Sequence, residues 1–382
     1  MEKRVLSERL EEEQKRREQQ SKVDYEQNLK REIEEQSKKK TEAENMQIQR
    51  KEALEHYKKE QKMKALTDIK ALKNCLSFQA HNEFIMSVVL SSDGCIIATA
   101  SQDKTVKLWE TTSGKCITTL HSHTDIVYCV AISLEVDFLV SSSRDQTVKL
   151  WDIKGTLQST FYGHEGGVRT VCISTDSKLI VSGSDDNTIK VWSIVGTCLN
   201  SFLGHRDFVR SLCITIDGLV CSGSSDKTIK IWNFSGNCIH TFEGHNSDVT
   251  SLSSSGDILA SASGDSTVKL WRIKSKECIK TYTGDTSIGP VNSVYISPDK
   301  NLILAAQDKH LWYISRDDIK VIEYHHTQVI RCVSASSDNR IIVSASNDLS
   351  VKIYPTVNLN SSLFSSIINV SLLKTLFSTS SK

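Results

Sequence analysis

Apolar residues recur along this chain in two rhythms, and the rhythm changes near residue 75. Beyond that point, short runs alternate apolar and polar positions with a period of two, as at 168–174 and 228–232. These runs are rich in β-branched residues and are separated by Ser, Gly and Asp, which predicts strands joined by tight turns. Before residue 75 the apolar residues keep a helical spacing, but only locally: Leu6 and Leu10; Tyr25, Leu29 and Ile33; Leu66 and Ile69. No apolar residue lies between Leu10 and Val23. Residues 1–74 contain neither Gly nor Pro and consist largely of Glu, Lys, Arg and Gln, all good helix formers. Glu stands four residues before Lys or Arg nine times, as in Glu11–Lys15 and Glu55–Lys59. Each such pair adds roughly 0.2–0.5 kcal/mol to a helix. An unbroken helix over 1–74 would reach about 110 Å. Such a helix fits a solvated single rod, or a short or partner-dependent coiled coil through which the chain self-associates.

From residue 75 the sequence repeats. Tryptophans fall at Trp109, Trp151, Trp192, Trp232, Trp271 and Trp312, spaced 42, 41, 40, 39 and 41 apart, and Tyr354 follows 42 later. The residues around them read TVKLW, TVKLW, TIKVW, TIKIW, TVKLW, KHLW and SVKIY. Six positions upstream stand Asp103, Asp145, Asp186, Asp226, Asp265 and Asp348. Further upstream stand His81, His123, His164, His205, His245 and His326, three of them after a glycine. A hydroxyl recurs four residues before each of these Asp: Thr99, Ser141, Ser182, Ser222, Ser261 and Ser344.

A period near 40 with GH…W landmarks closely resembles the WD40-repeat family, over about three quarters of the chain. That resemblance implies an all-β, seven-bladed β-propeller across 75–358. A long α-helical, potentially coiled-coil extension would precede it over 1–74, and a Ser-rich tail would follow over 359–382. Each blade would be a four-stranded antiparallel sheet. The resemblance also implies that each Trp, hydroxyl, His and Asp form a buried structural tetrad. A catalytic Ser/His/Asp set should occur once, with an oxyanion hole, so six copies argue for architecture. The sixth unit departs from the pattern: Asp285 stands where His is expected, Ala305 replaces the hydroxyl, and Asp308 is out of register before Trp312. That blade should be the most divergent or the least stable. Two segments could close the ring as an outer strand, 75–78 or 372–377, and 75–78 has the better spacing to His81.

Charge and chemistry add constraints. Residues 1–74 carry 20 Lys+Arg and 17 Asp+Glu, the remainder 27 and 29, so neither part forms the basic surface expected for nucleic acid. No run of eighteen apolar residues indicates a membrane span, and the charged N-terminus is unlike a secretory signal. Eleven cysteines without a CxxC pair fit reduced thiols in the cytosol or nucleus. Cys116, Cys198, Cys238 and Cys278 recur before the outer-strand apolar pair, and Cys129, Cys172, Cys213 and Cys332 on the inner strand, so both sets are expected to be small buried hydrophobes. Neither His121 with His123 nor His325 with His326 has the neighbours of a metal site. No phosphate loop, zinc set or unique nucleophile appears, so no cofactor, small-molecule substrate or enzymatic activity is expected.

Function should therefore lie on surfaces. Propellers resembling this one use the narrow face around the channel. Residues at fixed offsets from His and Asp place Phe84, Met86, Tyr128, Arg144, Arg169, Phe208, Arg210 and Arg331 there, with Arg206 nearby. Arg and aromatic residues are the usual anchors of protein interfaces, and Arg also suits carboxylate or phosphate. The expected function is a scaffold or adaptor that binds a protein partner through an acidic or phosphorylated peptide. The alternative is a substrate receptor of a ubiquitin ligase, although 1–74 shows no F-box-like apolar module.

Overall fold

The computed structural model describes residues 75–314 and 326–355 and, as backbone, the strand Ile319–Ile322. The helical extension expected over 1–74, the tail and the segment 372–377 lie outside the described residues. Among the described residues, twenty-eight strands, numbered β1–β28 in chain order, form seven four-stranded antiparallel sheets. Six sheets take four consecutive strands each: blade 1 spans 85–121, blade 2 127–161, blade 3 168–202, blade 4 209–242, blade 5 249–283 and blade 6 291–322. The seventh joins the two ends of the described chain. Its inner three strands are β26 (Ile330–Ala335), β27 (Ile341–Ser346) and β28 (Ser350–Pro355), and its outer strand is β1 (Leu76–Gln79). Leu76 pairs with Ile353 and Gln79 with Ser350.

The hydrophobic core is divided into seven clusters, most of them lying between adjacent sheets. Between blades 1 and 2, for instance, Ala98, Val106, Leu108 and Leu120 meet Val127, Val130, Leu139 and Trp151. Most tryptophans pack on an aromatic residue of the preceding blade's outer strand, as with Phe161 on Trp192 at 5.8 Å and Phe202 on Trp232 at 5.6 Å between ring centroids. No sheet buries both faces alone, which is why the period-two pattern needs all its neighbours.

The inner strand of every blade carries a one-residue register shift near its start. It falls between Ile85 and Ser87, Val127 and Cys129, Val168 and Thr170, Val209 and Ser211, Val249 and Ser251, Val291 and Ser293, and Ile330 and Cys332. The residue skipped by the ladder is thereby re-aimed out of the sheet.

Candidate functional site

Six polar networks occupy equivalent places in six blades. In blade 4, Trp232 Nε1 donates to Ser222 Oγ at 2.8 Å, that hydroxyl is 2.7 Å from His205 Nε2, and His205 Nδ1 is 2.8 Å from Asp226 Oδ2. Indole N–H can only donate, so the hydroxyl accepts from Trp and passes its own proton toward Nε2; Nδ1–H then donates to the carboxylate. A neutral imidazole thus satisfies every buried group. The same chain links Thr99, His81 and Asp103 to Trp109, and Ser141, His123 and Asp145 to Trp151. It also links Ser182, His164 and Asp186 to Trp192, and Ser261, His245 and Asp265 to Trp271. In blade 7, His326 meets Ser344 and Asp348, and Ser344 Oγ lies 3.3 Å from the Tyr354 hydroxyl.

Burial alone would raise the Asp103 carboxyl, but hydrogen bonds from His81 and Thr105 outweigh it and hold the group well below the usual carboxylate range. The other five tetrad carboxyls are depressed in the same way. Burial lowers the His81 and His123 imidazoles despite their carboxylate partners. The hydroxyls are fully buried, so no substrate reaches them.

Blade 6 corrects the tryptophan series. In the other blades the landmark aromatic stands opposite the residue two before the hydroxyl, as Trp109 opposite Ile97 and Tyr354 opposite Ile342. In blade 6 that place opposite Ile303 is taken by Ile314. Trp312 faces Ala305, two pairs nearer the turn, where the other blades carry a lysine such as Lys107 opposite Thr99. Gln307 and His310 enclose two residues where Ser101 and Thr105 enclose three, and the two-pair displacement keeps Trp312 on the same face. Gln307 Nε2 donates to the carbonyls of Asp285 at 2.8 Å and Gly289 at 2.7 Å, tying down the loop that a histidine holds elsewhere.

The channel-face candidates acquire a structural cause. Met86, Tyr128, Arg169, Arg210 and Arg331 are all residues skipped at the inner-strand register shifts, as are Thr250 and Asn292. A second set is fixed by backbone bonds across each blade: Gln102 N–H to Phe84 O, Arg144 N–H to Ile126 O, and Ser225 N–H to Phe208 O. Contacts run from blade to blade. The Arg169 guanidinium lies 4.2 Å from the Tyr128 ring centroid and 6.0 Å from that of Phe208. Thr250 Oγ1 donates to Val291 O, and Asn292 Nδ2 to Ile330 O. Phe84 lines a shallow cleft of about 390 Å³ with Asn82, Gln102, Gln328 and Asn347.

The arginines are not a row of bare cations. Arg169 Nε donates to Asp185 Oδ1 at 2.7 Å, and Arg210 reaches Ser225 Oγ at 2.6 Å and Asp248 Oδ2 at 2.8 Å. Arg331 Nε donates to Asn347 Oδ1 at 2.9 Å, and burial lowers its guanidinium. Arg144 is the least committed: its side chain is 59% exposed and its carboxylate, Asp125, lies 3.9 Å away. Asp185 and Asp248 hold the same offsets from the landmarks as Arg144 and Phe208, so the sequence places them on this face, but it does not pair them with Arg169 and Arg210.

The cysteine expectation needs one correction. Cys129, Cys172, Cys213 and Cys332 are half-buried, and burial raises the thiols of Cys129, Cys172 and Cys332. Cys116, Cys198, Cys238 and Cys278 are exposed instead, because they lie on outermost strands, which have no neighbour on their free edge among the described residues. Among the described residues, no group of three His, Cys, Asp or Glu is placed to hold a metal, and no helix is long and apolar enough to cross a membrane.

Comparison with known proteins agrees with this architecture. The family described as WD domain, G-beta repeat matches residues 72–110, 114–152, 155–193, 196–233, 236–272, 276–313 and 317–354. Among curated proteins, nuclear distribution protein PAC1 of Arthroderma otae is 36% identical over 84 residues, covering 21% of this chain and 18% of that protein. Its counterpart in Coccidioides posadasii is 30% identical over 124 residues, 26% of each chain. Eukaryotic translation initiation factor 3 subunit I of Neosartorya fischeri is 32% identical over 71 residues, 19% of this chain and 20% of that one. The matches span about a fifth to a quarter of these relatives' lengths.

Proposed function

Because the chain belongs to the WD-repeat family, matched in seven units between residues 72 and 354, we propose that it is a non-enzymatic interaction scaffold whose channel face binds a peptide of a protein partner. The observation that carries this reading is the stack of Arg169 on Tyr128 beside Phe208, held by Asp185. A guanidinium already fixed on an aromatic ring loses little freedom on binding, as interface anchors require. Asp185 and Asp248 already offset Arg169 and Arg210. This favours a partner that brings one or two acidic groups, received by Arg144, over a densely phosphorylated one. The six tetrads serve the scaffold and hold the loops that present these residues. Eleven cysteines with no disulfide among the described residues fit a protein of the cytosol or nucleus.

The test replaces the exposed members, Arg144→Glu with Phe208→Ala, in the full chain and compares partners recovered by affinity capture and mass spectrometry. Loss of the main partners, with an unchanged melting curve, is expected. Undiminished recovery would rule out this face. Ligase subunits as the dominant partners would favour the substrate-receptor alternative instead.

A further inference from the structure

A different surface is marked by what it lacks. The outer strand of blade 2, β9 (Leu157–Phe161), and that of blade 3, β13 (Cys198–Phe202), each end their sheet, and among the described residues no strand pairs their outer sides. Residues 155–164 and 191–205 contain no Asp, Glu, Lys or Arg. Lys115, Glu243 and Lys280 mark the corresponding segments of blades 1, 4 and 5. Open edges of this kind usually carry charges that discourage strand pairing.

The same rim exposes large apolar side chains. Tyr162 is 73% exposed, Leu203 73% and Val195 79%, and Leu157 and Leu199 are also exposed. Positions equivalent to Tyr162 hold Gln79, His121, Glu243 and Thr283 in other blades, and those equivalent to Val195 hold Ser113, Lys154 and Ser235. The turn carrying Val195 lies against β9: a Cβ on Gly196 would sit 3.2 Å from both the Phe161 ring and Ser159 Oγ. Leu157, Tyr162 and Val195 therefore flank one open strand, β9.

The charges that bound β9 differ in sign. Exposed Lys154 precedes its start and exposed Glu165 follows its end. A strand with opposite charges at its two ends is complementary to an antiparallel copy of itself. We propose that β9 is the interface with a second copy of this chain, two β9 strands pairing antiparallel about a two-fold axis between Ser159 and Thr160. Leu157 then faces Tyr162 of the other copy, and Lys154 faces Glu165. Such an interface is isologous, so each ion pair occurs twice. Its poverty in charge matches the apolar character of homodimer interfaces, and backbone pairing along the edge supplies affinity.

Sedimentation velocity of the full chain over a range of concentrations tests this. Wild type is expected to dimerise reversibly. Lys154→Glu alone or Glu165→Lys alone sets like charges together twice and is expected to raise the dimer dissociation constant about tenfold or more. The double reversal, Lys154→Glu with Glu165→Lys, is expected to restore it. Both side chains are exposed, and melting curves check that the variants fold. A wild type that stays monomeric throughout, or a dimer indifferent to either single reversal, as association through 1–74 would give, overturns the proposal. Failure of the double reversal to restore dimerisation overturns it too.

Discussion

Replacing Ser222 by Ala removes one oxygen from the interior of blade 4 and leaves two buried groups without partners. Trp232 Nε1 loses the acceptor 2.8 Å away, and His205 Nε2 loses the hydroxyl 2.7 Å away. Ser222 is fully buried, so water cannot take its place without opening the blade. An unsatisfied buried polar group costs about 1–3 kcal/mol. Two of them, with some local relaxation, should destabilise the propeller by about 2–4 kcal/mol. For a domain of this size that lowers the melting temperature by about 5–10 °C. Guanidinium unfolding followed by tryptophan fluorescence measures the loss. A cycle with Trp232→Phe isolates the shared bond, because Phe removes the donor. Once the indole N–H is gone, Ser222→Ala should cost less, by about 1–2 kcal/mol. A serine substitution within about 0.5 kcal/mol of wild type, or strict additivity with Trp232→Phe, would show that the chain from indole to carboxylate does not hold the blade together.

Three other measurements bear on the same architecture. Burial holds His81 and His123 below the ordinary imidazole value of 6.5, so the unfolded chain takes up these protons first, and the stability present above that pH is lost as pH falls through it. The six depressed tetrad carboxyls add a second loss as pH drops below their ordinary value of 3.8. A melting temperature scanned from pH 8 to 3 should therefore be level, decline below pH ~6.5 and fall faster below pH ~4; a curve flat to pH 4 would contradict the imidazole contribution. Gly284→Ala would drive a Cβ into the Trp312 ring and Gln307 Oε1, and should cost about 2 kcal/mol or more in calorimetry. With a thiol reagent under native conditions, Cys116, Cys198, Cys238 and Cys278 should react within the fast phase, while Cys129, Cys172 and Cys332 wait for unfolding; mass spectrometry of trapped samples identifies which thiols have reacted.

The tetrads were legible because identical polar residues at identical offsets must answer identical local geometry. Trp312 was misread for a related reason. Spacing counts residues, whereas pairing counts ladder steps, and a landmark two pairs nearer a shortened hairpin still leaves the count near 40. The offsets from His did select the skipped inner-strand residues, but no sequence sign distinguishes a skipped residue from a paired one. The offsets also reach Asp185 and Asp248, but their pairing with Arg169 and Arg210 was not legible, because it is made only after the chain has folded. The exposed cysteines looked like core because alternation reports the face of a strand and says nothing of whether that strand ends its sheet.

Pairing of Leu76 with Ile353 sets an order on biosynthesis. A ribosome delivers β1 early and its mate β28 nearly last, so the strand must stay uncommitted while some 270 residues emerge, a separation that makes this contact slow to form. The final repeat acts as the latch. A nascent chain interrupted anywhere before residue 350 lacks β28 and leaves the wheel open with two raw edges, which marks it for chaperones or proteolysis instead of partial service.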